Sequence, residues 1–306
     1  MKVFFFLFVF ATALPTTLLS QDTLFVYFDK DWNKISNKDV AVFYRKAYMD
    51  SEKVWNVNDF FKSDKIQMSG TYDSKSLKLK HGNFIYYYEN GMVESEGRYV
   101  NDKSEGVWNY WYENGKLLSC GSFINDLKEG KWTYWYENGS IKSEGMYKKG
   151  NHEGDWVYYF DNGNIKSMGK YVNGLSEGIW EYRHERGEKK AEGKYVNDNM
   201  EGIWNYWYAN GQLKYVETYT KGEMVYIKGY HENGKINFQG DFIKGKKLGQ
   251  WTYTNADGRV FLKGAYNSKG NQEGVWMRYF PEGEMKVVYL NGILQGKEFG
   301  GISKTK

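Results

Sequence analysis

The sequence is poor in cysteine, proline and long apolar runs, and each shortage excludes a class of structure. Cys120 is the single cysteine among 306 residues, so no intramolecular disulfide can form and packing must stabilise the fold. Beyond the first twenty residues, no apolar run is long enough to span a bilayer. We therefore expect a mature chain that is not an integral membrane protein.

The charge is nearly balanced, which argues against nucleic acid as a partner. Lysine and arginine number 42 against 38 aspartates and glutamates, the net charge is +4, and no basic cluster stands out. Leucine and alanine are scarce, which disfavours long helices. The 19% of aromatic residues and the 35 glycines favour strands joined by tight turns.

The first twenty residues, MKVFFFLFVFATALPTTLLS, have the layout of a secretory signal peptide. Lys2 precedes the apolar run Val3–Leu14, and small polar residues follow. We predict cleavage near Ser20 and export to the periplasm, the cell envelope or the exterior. A buried N-terminal helix is the alternative. No cysteine follows the leader, so the sequence does not predict a lipoprotein anchor.

Two series of glycines recur with a period close to 24 residues. The anchor series is Gly82, Gly106, Gly130, Gly154, Gly178, Gly202, Gly249 and Gly274. The turn series is Asn90-Gly91, Asn114-Gly115, Asn138-Gly139, Asn162-Gly163, Arg186-Gly187, Asn210-Gly211, Asn233-Gly234, Asp257-Gly258 and Glu282-Gly283. Asn-Gly between aromatic runs is typical of two-residue type I′ hairpin turns, in which both residues have positive φ. The sequence therefore predicts nine hairpins between residues 82 and 296, within an elongated, twisted antiparallel sheet of tandem repeats.

The register follows from the turns. If Asn138-Gly139 is a two-residue loop, Trp132 faces Gly145 and Gly130 faces Tyr147, and the same rule holds in most hairpins. Glycine leaves room for a ring to lie across the opposing strand, so we expect each ring to cover the glycine that it faces. Three units break the rule: Trp204 faces Glu217, Ile227 faces Gly240, and Trp276 faces Tyr289.

Strand alternation then assigns two faces to the sheet. The side that carries Trp132 and Tyr134 recurs most strictly and is the predicted core side. The other side is the candidate binding face, with predicted aromatic–lysine pairs across each hairpin. Its residues are Trp111, Trp135 with Lys142, Tyr159 with Lys166, and Trp207 with Lys214. These lysines could simply keep the rings soluble, or the row could bind a ligand.

The remaining chain is divided by position. Residues 21–81 are predicted to be a β-rich N-terminal cap, residues 82–296 the repeat array and residues 297–306 a polar tail. The segment KIQMSGTY in the cap already foreshadows a repeat.

Residues suited to catalysis are few and are not grouped. His81, His152, His184 and His231 lie at four different phases of the repeat, and Cys120 has no adjacent activating group. A row of glutamates precedes the anchor glycines: Glu105, Glu129, Glu153, Glu177, Glu201 and Glu273. It is either a solvated turn position or a ladder for divalent cations. No phosphate loop, dinucleotide fingerprint or nucleophile elbow is present, so we predict no catalytic residue, no cofactor and no metal.

The units GVWNYWYENGKLLSCGSF, GKWTYWYENGSIKSEGMY and GDWVYYFDNGNIKSMGKY resemble the MORN-repeat variant family of bacterial proteins, whose members are often labelled antitoxin-like. The resemblance implies successive hairpins in an antiparallel sheet, used as a scaffold, an oligomerisation surface or a lipid-binding element. We therefore expect an exported, non-catalytic scaffold that binds a protein or a second copy of itself. A module for glycan or anionic lipid is one alternative, and an antitoxin-like protein that neutralises a partner is the other.

Overall fold

The computed structural model describes residues 23–301 and confirms an all-β chain of tandem antiparallel hairpins. In that range the one helical segment is a 3₁₀ turn at Lys38–Val40. The predicted signal peptide and residues 302–306 lie outside the described residues. The chain divides into two units between Gly106 and Val107, and strand β8 (Lys103–Trp111) runs through the division.

The first unit is built from seven strands and pairs them antiparallel. They are β1 (Leu24–Phe28), β2 (Lys34–Ile35), β3 (Phe43–Met49), β4 (Trp55–Phe61), β5 (Ile66–Tyr72), β6 (Lys80–Tyr87) and β7 (Val93–Val100). Its core contains Val57, Met68 and Phe84. Beside the core, Arg45 donates from Nε and Nη2 to the carboxylate of Asp59 at 2.7 and 2.8 Å.

The second unit continues the pattern, with each strand paired antiparallel to the next along the chain. Its strands are β9 (Leu117–Ile124), β10 (Leu127–Trp135), β11 (Ile141–Lys148), β12 (Asn151–Tyr159), β13 (Ile165–Val172), β14 (Leu175–Arg183), β15 (Lys189–Val196), β16 (Asn199–Trp207), β17 (Leu213–Thr220), β18 (Glu223–Tyr230), β19 (Ile236–Ile243), β20 (Lys246–Thr254), β21 (Val260–Tyr266), β22 (Gln272–Phe280), β23 (Gly283–Leu290) and β24 (Ile293–Gly301). Strand β24 extends into the stretch predicted as a polar tail.

In the hairpin of β10 and β11 the predicted pairing of the core positions is confirmed, but the predicted turn type is wrong. Trp132 pairs with Gly145, and Gly130 pairs with Tyr147. At the turn, however, Gly139 N donates to Tyr136 O at 2.8 Å, and of Asn138 and Gly139 only the glycine has positive φ. This is a three-residue loop, a type I turn closed by a left-handed glycine. The register survives because a bulge follows between Tyr134 and Trp135 and restores the offset of a two-residue loop.

Type I′ turns do occur, but at the opposite ends of the strands, where one repeat connects to the next. Both residues have positive φ in Asn125-Asp126, Lys149-Gly150, Asn173-Gly174 and Asn197-Asp198. Asn-Asp and Lys-Gly are weaker hairpin signals than Asn-Gly. Asn173-Gly174 is itself Asn-Gly and was missed because it lies outside the turn series that recurs along the sequence.

Six tryptophan rings each cover a glycine of the preceding hairpin and not the residue that they face within their own: Trp132, Trp156, Trp180, Trp204, Trp251 and Trp276. A Cβ added to Gly145 would lie 2.2 Å from the ring of Trp156, and one added to Gly121 would lie 2.2 Å from Trp132. The indole Nε1–H of Trp156 donates to Met146 O on the preceding strand at 3.0 Å, which fixes the direction of the ring. The predicted cover of Gly145 by Trp132 is therefore wrong, although the two residues are paired.

The same relation recurs through both units. A Cβ at the glycine would lie 2.0–2.3 Å from the ring in Gly70/Phe84, Gly121/Trp132, Gly145/Trp156, Gly169/Trp180, Gly193/Trp204, Gly240/Trp251 and Gly264/Trp276. The anchor glycines serve a different purpose. Gly130 has φ +72° and open space around it, so its backbone conformation requires glycine, and a covering ring does not.

One repeat lacks both members of the pair. Glu217 stands in the glycine position, and Ile227, which pairs with it across the strands, stands where the covering ring belongs. Because no ring lies over this position, the backbone there can carry a side chain. The ring and the glycine are therefore absent together in this repeat.

The last hairpin departs from its predicted register. Trp276 pairs with Val287 and not with Tyr289, because the turn is formed by Pro281 and Glu282 and Phe280 already pairs with Gly283. The predicted core side is otherwise confirmed, and we call it the tryptophan face. Trp132 and Trp156 on this face are each 1% exposed.

Candidate functional site

The candidate face lies on the side of the strands opposite to the tryptophan face. Trp135, Tyr159 and Trp207 are the last residues of β10, β12 and β16, and all three side chains are half-buried. Equivalent positions two strands apart are separated by roughly 9.5 Å. Trp111, at the end of β8, is half-buried as well. Rigid strands therefore present the rings at a regular spacing.

The predicted pairing of these rings with lysines is wrong by one residue. Trp135 pairs with Ile141, Tyr159 with Ile165, and Trp207 with Leu213. The bulge that follows each three-residue loop makes Lys142, Lys166 and Lys214 the extra residue of the strand, and all three are exposed.

The lysines lie instead over the ring that follows the predicted one. Lys142 Nζ is 5.7 Å from the ring centre of Tyr136, and Lys166 Nζ is 5.9 Å from that of Phe160. Lys214 Nζ is 5.5 Å from the ring centre of Tyr208. These contacts are worth about 0.5–1 kcal/mol at exposed sites, so the lysines stay available to a ligand.

Polar side chains connect the rings of the candidate face. Lys131 forms an ion pair with Glu144 at 2.7 Å, and Tyr159 OH donates to Glu144 Oε1 at 3.1 Å. The hydrogen bond from Lys131 is the main reason that the pKa of the Glu144 carboxyl is lowered. Glu144 thus joins the strand of Trp135 to that of Tyr159.

An ion cluster interrupts the aromatic row between Tyr159 and Trp207. Arg183 stands in the aromatic position and contacts Glu181 at 2.5 Å, and Lys189 contacts Glu192 at 2.6 Å. Lys189 Nζ also lies 5.3 Å from the ring centre of Trp207. The pKa of Lys189 is raised, chiefly by its hydrogen bond to Glu192.

Sequence reasoning missed two exposed apolar residues on this face. Ile179 is 62% exposed and Ile203 is 61% exposed, each immediately before a buried tryptophan. Strand alternation could have found them, because a residue next to a core position points to the opposite face.

Comparison with known proteins identifies the repeats. The family model described as MORN repeat variant matches residues 80–101, 104–125, 128–149, 153–173 and 200–221. These five segments are MORN variant repeats. Such repeats are generally non-catalytic and commonly mediate contacts with proteins or lipids. No curated protein matches the chain at a significant level.

Solved structures add little to this assignment. The crystal structure of TcdB2-TccC3-Cdc42 aligns with 9% identity and a TM-score of 0.19, covering 85% of this chain and 16% of that one. The structure of the Photorhabdus luminescens Tc holotoxin pore aligns with 10% identity and a TM-score of 0.19, covering 83% and 16%. The chain therefore spans 16% of the length of these structures, and similarity at this level carries no argument.

The glutamates before the anchor glycines connect successive MORN repeats. Glu153 Oε2 accepts from Asn173 N at 2.9 Å, which holds the next type I′ turn. Glu129, Glu177, Glu201 and Glu273 make the same bond to Lys149, Asn197, Lys221 and Asn291. The row is thus neither simply solvated nor arranged as a cation ladder. Within residues 23–301, no group of three or more His, Cys, Asp and Glu side chains could hold a metal ion.

The tyrosine after the candidate ring also joins neighbouring MORN repeats. Tyr112 OH donates to Trp135 O, and Tyr136 OH donates to Tyr159 O, both at 2.8 Å. His184 Nε2 replaces a tyrosine and lies 3.3 Å from Trp207 O. His184 therefore takes the place of an aromatic residue in this packing. His231 Nε2 lies 2.8 Å from Thr254 O in the equivalent position, so the prediction of four different phases for the histidines is wrong. Burial raises the pKa of the Cys120 thiol, which lowers its nucleophilicity at neutral pH.

Within the described part of the chain, no helix has the length and apolar character needed to cross a bilayer.

Proposed function

We propose that the chain is an exported, non-catalytic MORN-repeat scaffold whose candidate face binds a protein partner. The observation that carries the proposal is the repeated presentation of Trp135, Tyr159 and Trp207 on rigid strands, next to exposed Ile179 and Ile203. Rings held in place lose little conformational entropy on binding, and aromatic residues are enriched in the centres of protein interfaces. Export rests on the signal-peptide layout of residues 1–20 alone.

Capture of partners from the native compartment tests this proposal. The full mature chain is compared with the triple variant Trp135→Ala, Tyr159→Ala, Trp207→Ala. The matched control replaces exposed loop residues of the same region, Glu137→Ala, Asp161→Ala and Glu185→Ala. We expect a protein that the wild type and the control retain and that the ring variant loses by at least about tenfold in affinity. Equal retention by all three proteins would show that the face is not the contact. Circular dichroism and thermal melts confirm that the ring variant is folded.

The lysines favour a second candidate, an anionic glycan or an anionic lipid surface. Each exposed Nζ of Lys142, Lys166 and Lys214 lies within 5.9 Å of an aromatic ring centre, which combines a cation with a stacking surface. Replacing these lysines together by glutamine separates the candidates. A glycan or lipid ligand requires them, and its affinity falls with rising salt, whereas a partner held by the rings and isoleucines is affected much less.

An antitoxin-like role is a third candidate, suggested by the labelling of bacterial family members. Suppression of the lethality of a neighbouring toxin gene by this chain would support it, and turnover of hydrolase substrates by the purified protein would overturn the non-catalytic assignment. The N-terminal residue of the protein recovered from its compartment tests export directly.

A further inference from the structure

The tryptophan face binds the chain's own ammonium groups in a repeated arrangement of rings. Lys128 Nζ lies 4.3 Å from the ring centre of Trp132 and 5.1 Å from those of Tyr134 and Tyr147. It also donates to Tyr134 OH at 2.7 Å. The three rings therefore form a nest for an ammonium group, held by cation–π attraction and one hydrogen bond.

The same nest recurs in two other repeats. Lys247 Nζ lies 4.3 Å from the ring centre of Trp251 and 5.3 Å from those of Tyr253 and Tyr266. Lys80 lies over three rings in the first unit, with its Nζ 4.6 Å from the ring centre of Tyr99. In all three repeats the rings therefore hold the ammonium group of a lysine.

The nest of Trp204, Tyr206 and Tyr219 lacks that lysine. These residues lie three repeats after Trp132, Tyr134 and Tyr147, and the position of Lys128 is occupied there by Met200. Trp204 and Tyr206 remain in ring contact, with ring centres 6.2 Å apart, and Tyr219 pairs with Gly202 as Tyr147 pairs with Gly130. Met200 carries no charge, so the chain supplies no cation at this position, as at Ser176 in the repeat of Trp180.

A carboxylate has been added at the same place. Glu217 pairs with Trp204, in the position that is a glycine in the neighbouring repeats, and its side chain is half-buried. Tyr219 OH donates to Glu217 Oε2 at 2.7 Å. No lysine or arginine of residues 23–301 lies within ion-pair distance of Glu217. Burial, and then the hydrogen bond to Glu217, raises the pKa of Tyr219 to about 12. Burial, and then the negative charge of Glu217, raises the pKa of Tyr206 as well, so both phenols face this carboxylate.

The covering ring of the neighbouring repeats is missing beside Glu217. In the neighbouring repeats the glycine at this position is covered by a tryptophan of the next repeat, as Gly193 is covered by Trp204. Ile227 replaces that tryptophan beside Glu217. Isoleucine cannot extend across the strand as an indole does, so no ring covers the carboxylate of Glu217.

We propose that Glu217, together with the rings of Trp204, Tyr206 and Tyr219, forms a binding site for an alkylammonium group supplied from outside the chain. A carboxylate and aromatic faces together suit an organic ammonium ion. One carboxylate does not suit a divalent metal, which requires several oxygen ligands. The source is either a lysine side chain of a protein partner or a small free amine, and the test distinguishes them.

Binding of n-butylammonium chloride to the mature full-length protein tests the site. The readout is the NMR signal of the Trp204 indole Nε1–H, which donates to Lys194 O and is assigned with Trp204→Phe. We expect a saturable shift of this signal in the wild type that sodium chloride and n-butanol at equal concentration do not produce. Glu217→Gln keeps an oxygen that accepts from Tyr219 and should weaken binding at least about tenfold. Glu223→Gln, on the adjacent strand, is the matched control and should bind as the wild type does.

Met200→Lys provides a second test that does not weaken the fold. The new lysine restores the residue found at Lys128, so it should fill the nest, raise the melting temperature and abolish the butylammonium shift. Equal shifts in the wild type and Glu217→Gln, or no saturable shift in the wild type, would overturn the proposal. A lysine-containing peptide that binds more tightly than butylammonium identifies a protein partner as the source, and equal or weaker binding identifies a free amine.

Discussion

Replacement of Gly145 by alanine should destabilise the repeat array through the tryptophan of the next repeat. The added Cβ would lie 2.2 Å from the ring of Trp156, so the ring must move by more than about 1 Å to reach ordinary contact distance. Trp156 is 1% exposed and its Nε1–H is bonded to Met146 O, so no free space is available for that movement. Overpacking alone costs about 1–3 kcal/mol, and loss of the packed indole costs about 3–5 kcal/mol. We expect Gly145→Ala to lower the free energy of unfolding by about 3 kcal/mol.

A double-mutant cycle isolates this contact. Trp156→Ala alone should cost about 3–5 kcal/mol, and adding Gly145→Ala to it should cost almost nothing further, because the clashing ring is gone. Gly154→Ala is the matched control: its Cβ meets open space, so only the strain of φ +68° remains, about 1–2 kcal/mol. Urea denaturation followed by far-UV circular dichroism measures the change in the free energy of unfolding of the whole chain. Amide hydrogen exchange on β11 and β12 measures the loss of stability in these two strands. Additive effects of Gly145→Ala and Trp156→Ala would refute the reasoning.

Three further predictions concern side chains that support the repeats. Glu153→Ala should lower the free energy of unfolding by about 1 kcal/mol and speed hydrogen exchange of the Asn173 amide, which donates to Glu153 in the wild type. Glu137→Ala, at an exposed loop position, should leave the exchange of that amide unchanged. Arg45→Met should cost about 3–5 kcal/mol because Asp59, at 2% exposure, is left as an unpaired buried carboxylate, and adding Asp59→Leu should restore most of the loss. Burial, and then Lys128, lowers the pKa of His152 below 6.5, so its stability contribution is present above pH 6.5 and is lost as the pH falls through that value towards the folded-state pKa. Thermal melts between pH 5 and about 8 should show this loss in the wild type and a reduced loss in His152→Gln.

The sequence predicts the period and the register because glycine, asparagine and aromatic residues recur at fixed spacing. Trp132 opposite Gly145 follows from that spacing alone. The turn type does not, because a two-residue turn and a three-residue loop followed by a bulge place Trp132 opposite the same residue. The two solutions differ only near the loop, where Trp135 pairs with Ile141 and the bulge displaces Lys142.

For a related reason, the sequence pattern could not predict which glycine each tryptophan ring covers. Trp156 faces Gly169 in its own hairpin and also lies next to Gly145 of the preceding repeat, and the repeat spacing is the same in both directions. The hydrogen bond from Nε1–H to Met146 O decides between them, and it depends on the side-chain rotamer. One clue was visible in the sequence: Glu217 and Ile227 break the pattern together, as partners across a repeat boundary would.

The most direct test of the fold follows the α-protons of two glycines. One α-proton of Gly145 lies where the Cβ of another residue would be, and it points into the ring of Trp156. The ring current should therefore shift the NMR signal of this proton strongly upfield. In Trp156→Leu we expect the Gly145 signal to return to the normal range, while Gly169, which is covered by Trp180, keeps its shift. If Gly169 lost its upfield shift and Gly145 kept its own, each ring would cover its own hairpin, and the coupling between repeats described above would be contradicted.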